Sequence, residues 1–151
     1  MKKVEKLIQA LELYIPETDK INTNVSSVNI GWHIEHSLLV ITSIVQTILH
    51  SDESKYKWKW NTKKAFVFLT GSFPRGKANA PDIVIPKTNA TKDELITQIQ
   101  AATNSINLLK TAGANQYFMH PVFGMTNRDA TFPFLAIHTN HHLKIIKEIL
   151  A

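Results

Sequence analysis

The sequence predicts an all-α protein: a four-helix bundle with a long crossover between its second and third helices. Three observations predict it. Four segments carry apolar residues at helical spacing. A stretch from 51 to 90, broken by Gly71, Pro74, Gly76, Pro81 and Pro86, separates the second from the third. The loop before the last helix, ANQYFMHPVFGMTN, is much shorter than that stretch, and bundles with one long crossover place metal sites between facing helices.

The first helix is expected from about Lys3 to Tyr14, with Val4, Leu7, Ile8, Leu11 and Tyr14 on one face and Pro16 closing it. Its opening lysines resemble a signal peptide, but Glu5, Gln9 and Glu12 interrupt any apolar run. The second follows NTNVSSVNIGW, where Ser26 or Ser27 supplies a capping hydroxyl, and runs to about His50. Within the crossover, AFVFL is read as a short strand or a buried extended segment. The third helix opens at Thr91 and Glu94, which form a capping box, and ends near Gly113. A loop, ANQYFMHPVFGMTN, leads to a last helix that begins near Asn127 or Asp129 and runs almost to Ala151.

The bulk composition fits a single domain, 1–151, with 44% hydrophobic and 19% charged residues. The absence of cysteine excludes disulfides, thiolate metal sites and cysteine nucleophiles. No stretch approaches the roughly 20 apolar residues that span a bilayer. These features predict a soluble, cytoplasmic protein with no membrane partner. The formal charge of +5 reads as a mildly basic surface of mostly dispersed lysines, so no nucleic-acid partner is expected.

Histidine carries the chemistry. Of seven histidines, three lie in IHTNHHLKII. His138 and His142 are one helical turn apart, so both rings reach one ion from one face. Leu135, His138, His142, Ile145 and Ile149 alternate at three- and four-residue spacing, a core stripe. His141 falls on the flank with Lys144 and Glu148. In the second helix, Ile30, Ile34, Leu38, Ile41, Val45 and Ile48 set the apolar centre. His33 lies nearer that centre than His36, which leans towards Glu35, Ser43 and Gln46, though the two differ little.

A lone histidine is usually an ordinary hydrogen-bonded residue. Three buried imidazoles without partners, however, leave polar nitrogens unpaired at roughly 1–3 kcal/mol each. One metal ion satisfies all of them, which favours a site of His33, His138 and His142. If the register slips by one turn, His36 is the ligand and His33 supports it. Imidazoles suit zinc, nickel, iron or copper. Zinc or nickel is the first expectation for the divalent ion, with iron or manganese next. Three protein ligands leave a position for water or substrate. No glutamate follows His138, which removes the zincin peptidase motif.

Two segments, HPVFGMTNRDATFPFLAIHTNHHLKII and NVSSVNIGWHIEHSL, resemble signatures of the DinB-like and YfiT-like superfamily of metal-dependent hydrolases and thiol-transferases. The resemblance is closest to its uncharacterised HP-x-FG branch. The family's second-helix frame has a serine seven residues before the ligand histidine and a small residue four after it. Ser26, His33 and Ser37 fit that frame. The resemblance implies a four-helix bundle, often a homodimer, with ligands at His33, His138 and His142. It further implies a small-molecule substrate such as a low-molecular-weight thiol. The competing reading is a non-enzymatic helical module in which the histidines are structural.

Weaker signals remain. GSFPRGKA, Gly71 to Ala78, nearly spells a phosphate-binding loop, but Ala78 replaces the magnesium-binding hydroxyl and Pro81 forbids a following helix. Arg75 and Lys77 are candidate anion-binding residues at a pocket rim, though a turn with solvated charges is the preferred reading. KYKWKWNTKK interleaves Tyr56, Trp58 and Trp60 with lysines, as single-strand nucleic-acid binders do. The favoured reading is that these aromatics cover one side of the bundle. His120 and His141 are supporting or alternative ligands; His120 either lines the pocket or orders its loop. Glu35 and Asp129 are the acids nearest the histidine motifs, read as an exposed helix carboxylate or a helix-start acid in preference to imidazole-orienting groups.

Overall fold

The computed structural model describes residues 2–74 and 81–151. These residues form five α-helices and one small antiparallel hairpin: α1 (Lys2–Glu12), α2 (Ile30–Leu49), α3 (Thr62–Thr70), α4 (Lys92–Leu109), β1 (Tyr117–His120), β2 (Gly124–Asn127) and α5 (Arg128–Ile149). No helix among the described residues is long and apolar enough to cross a membrane.

Local chemistry explains the helix ends. The Asn29 side chain accepts the Trp32 N–H at 2.9 Å and starts α2, a role expected of Ser26 or Ser27. At α4 the expected capping box is present. Thr91 Oγ1 accepts the Glu94 N–H at 3.3 Å, and Glu94 Oε2 accepts the Thr91 N–H at 2.7 Å. Asn127 caps α5 by accepting the Ala130 N–H at 3.2 Å.

The run AFVFL lies within a helix, α3, and is not a strand. Asn61 caps that helix at Lys64, and Gly71 closes it at φ 64°, a left-handed conformation that disfavours residues with a Cβ. The loop after α4 also has more order than expected. It pairs Tyr117 with Asn127 through His120 with Gly124, and Gly124 turns the chain at φ 67°.

The helices α1 and α2 each pack against both α4 and α5, while α3 packs on α5. Val4 and Ile8 of α1, Ile34 and Ile41 of α2, Leu95 and Ile106 of α4, and Leu135 and Ile146 of α5 are completely buried where they meet. Each contributes about 1.5–3 kcal/mol by leaving water. Helix α2 is buried around most of its circumference, from His33 to Leu38 without interruption. Its apolar rhythm therefore marks no single inward face.

The aromatics of KYKWKWNTKK do not blanket the helices. Trp58 is 70% and Trp60 69% exposed, and only Tyr56 is half-buried, against Tyr117 at 6.0 Å between ring centres. The candidate anion-binding residues Arg75 and Lys77 lie outside the described residues.

Candidate metal centre

Helix α2 meets α5 at a cluster of imidazoles. His36, His138 and His142 bring one ring nitrogen each to within 4.8 Å of one another. His36 and His142 are buried and His138 partly so. The α2 member of this group is His36 and not His33, one turn away from the sequence expectation. Because α2 is enclosed on nearly every side, both histidines are buried, at 4% exposure each, and only their orientation separates them.

Hydrogen bonds define that orientation. A carbonyl oxygen only accepts, so the 2.7 Å contact between His36 Nδ1 and the Val84 oxygen puts a proton on Nδ1. In the neutral ring the Nε2 lone pair is then available to an ion. The Trp32 ring stacks on His36 at 4.8 Å and an interplanar angle of 14°. Burial lowers the His36 pKa, against the opposing pull of the Val84 carbonyl.

His33 is occupied otherwise. Its Nδ1 lies 3.0 Å from His142 Nδ1, and its Nε2 lies 3.0 Å from Ser26 Oγ. Ser26 Oγ also accepts the Val28 N–H at 3.2 Å, and Ser37 Oγ donates to the His33 carbonyl at 2.8 Å. One consistent proton order runs through this chain. His142 Nδ1–H donates to His33 Nδ1, and His33 Nε2–H donates to Ser26 Oγ. That order leaves the His142 Nε2 lone pair unprotonated and available to an ion. Ser26 and His33, paired by the spacing frame of the sequence, are thus in contact, but as support for His142.

The donor set fits a metal ion. His138 Nδ1 is buried without a hydrogen-bond partner. Burial, reinforced by the neighbouring histidines, drives the pKa of both His138 and His142 well below the ordinary value. Neutral imidazoles are the ligating form, and they suit zinc, nickel, iron or copper.

The remaining candidates fall outside this group. His120 orders its loop: its Nδ1 accepts the Val122 and Phe123 N–H groups, both at 3.1 Å, and its ring stacks on Phe123 at 4.3 Å. Burial, helped by the Lys64 charge, lowers its pKa to about 4. His141 packs edge-on against His142 at 5.2 Å and Phe73 at 6.1 Å. Phe73 also meets His138 edge-on at 6.2 Å, so one aromatic ring just after α3 lies against both His138 and His141.

Among the described residues, neither Glu35 nor Asp129 hydrogen-bonds an imidazole. Asp129 pairs with Arg128 at 2.9 Å. Glu35 is not the exposed carboxylate expected but 9% exposed. It faces a cavity of about 390 Å³ shared with Ala90, Asp93, Glu94 and Gln98 on the α4 side of α2. Burial raises its pKa, while the Ala90 N–H and the Gln98 amide work in the opposite direction.

In comparisons with known proteins, the chain matches no family model, no curated protein and no solved structure.

Proposed function

We propose that the protein is a divalent-metal protein whose ion is held by His36, His138 and His142, with His33 and Ser26 fixing the ring of His142. The observation that carries this reading is the convergence of one ring nitrogen each from three imidazoles within 4.8 Å, with His138 Nδ1 buried and without a hydrogen-bond partner. Zinc or nickel suits the donor set best, with iron next. Manganese is a weaker fit because it prefers oxygen ligands.

Three protein ligands leave a position for an exogenous group, as in catalytic sites. A bound ion would supply Lewis acidity there, lowering the pKa of a water or a small thiol. The reading is accordingly a metal-dependent hydrolase or thiol-transferase of the DinB-like kind, built on a four-helix bundle of α1, α2, α4 and α5. The packing of α1 and α2 against both α4 and α5 supports that architecture. In this chain the residues have distinct tasks. Val84 and Ser26 hold the imidazole tautomers, and Phe73 and Trp32 keep the rings dry.

The test is elemental analysis of untagged protein beside a variant with His36, His138 and His142 all replaced by alanine. One ion per chain, lost in the variant while the helical circular dichroism remains, is the expected result. Stoichiometric metal retained in the variant would refute the assignment. Thiol-transfer assays with several low-molecular-weight thiols then separate the enzymatic reading from a purely structural ion.

A further inference from the structure

The net charge of the chain has an address. Between Lys55 and Pro74 there are five of the 17 cations and none of the 12 acids. The remaining twelve cations balance the acids, so the whole formal charge of +5 belongs to this stretch. Lys55 pairs with Asp52 at 3.4 Å, and the Lys64 ammonium donates to Thr126 Oγ1 at 3.2 Å. Lys57, Lys59 and Lys63 are exposed and enter no ion pair among the described residues.

The same stretch holds four large apolar side chains that face water. Trp58 is 70%, Trp60 69%, Phe66 61% and Leu69 88% exposed. Phe66 and Leu69 are three apart on α3 and share its outer face, while Val67 and half-buried Phe68 face inward. The Asn61 amide donates to the Val122 carbonyl at 3.0 Å, which ties the start of this helix to the hairpin. Four exposed apolar side chains within twelve residues of one another, interleaved with lysines unpaired among the described residues, mark an interaction surface.

We propose that the Trp58–Leu69 face docks on an anionic phospholipid bilayer. Charge complementarity selects the partner. Tryptophan beds at the interface, phenylalanine and leucine reach the acyl boundary, and lysines meet acidic headgroups. A single-stranded nucleic acid would use the tryptophans and lysines, but a base offers little to Leu69. A second copy of the chain would bring two acid-free cationic faces together. The inference is independent of the metal reading, and it departs from the expectation of no membrane partner.

Sedimentation with vesicles tests it. The intact 151-residue chain is mixed with vesicles of phosphatidylcholine alone, or containing about a third phosphatidylglycerol. Binding to the anionic vesicles only, weakened by salt, is expected. Replacing Lys57, Lys59 and Lys63 together with glutamine should weaken it about a hundredfold, at about fivefold per lysine. A W58S/W60S variant should also lose binding while keeping its circular dichroism, because both side chains are mostly in water already. Equal partition into both vesicle types, or none into either, overturns the proposal. So does tighter binding of a poly-dT oligonucleotide than of vesicles, or a dimer in sedimentation equilibrium that W58S/W60S dissolves.

Discussion

Replacing His33 with alanine separates a ligand from a supporting residue. In the structure both His33 ring nitrogens are engaged, one with His142 and one with Ser26, each at 3.0 Å. Removing the ring deletes the acceptor that holds the His142 proton on Nδ1, but leaves the three converging nitrogens in place. Loss of such a supporting hydrogen bond weakens metal affinity by about 10- to 100-fold, or about 1.4–2.8 kcal/mol. Metal-free H33A should also be less stable by about 1–3 kcal/mol, since His142 Nδ1 is left unpaired in the interior. His36→Ala removes a ligand outright, and its metal should be lost on purification. The assay is competition against a zinc-sensitive dye for the wild type and both variants, with urea denaturation of the metal-free forms. An H33A protein devoid of metal beside an H36A protein that binds like the wild type would refute the assignment.

Other outcomes follow from the same coordinates. His120 has a folded pKa of about 4 against an ordinary 6.5, so the unfolded chain binds its proton more readily. Its contribution to stability is complete above about pH 6.5, falls as the pH drops, and is fully lost near pH 4. His120→Asn, which keeps an acceptor for the Val122 and Phe123 N–H groups, should flatten the dependence of the urea midpoint on pH across that window. Parallel curves would show that His120 does not titrate as described. At α4, Thr91→Ala removes one half of the capping box and should lower stability by about 1 kcal/mol in urea denaturation.

The parts of this molecule legible from sequence are those fixed by neighbours in the chain. The Thr91–Glu94 box needs only a three-residue spacing, and the His138–His142 pair follows from the stripe of α5. What was not legible depends on enclosure by distant segments. Helix α2 touches α4, α5 and the turn holding Val84, so its histidines at 33 and 36 are equally buried and periodicity does not choose between them. The Val84 carbonyl chooses, from 48 residues away.

The misreading of AFVFL has a different origin. An apolar run with a β-branched residue and two phenylalanines reads equally as strand or helix. The end signals, Asn61 and Gly71, were present in the sequence and mark a helix. The exposed tryptophans were misassigned because composition does not say whether an aromatic covers the protein or faces a partner.

The donors from α2 and α5 stand about a hundred positions apart, and this has a consequence for biogenesis. During synthesis the ribosome releases His36 long before the segment bearing His138 and His142 emerges. A nascent chain lacking α5 has only one of the three nitrogens, so premature capture of an ion by an incomplete site is disfavoured. On the proposed metal reading, loading follows docking of the last helix, so an ion is taken up by a finished fold.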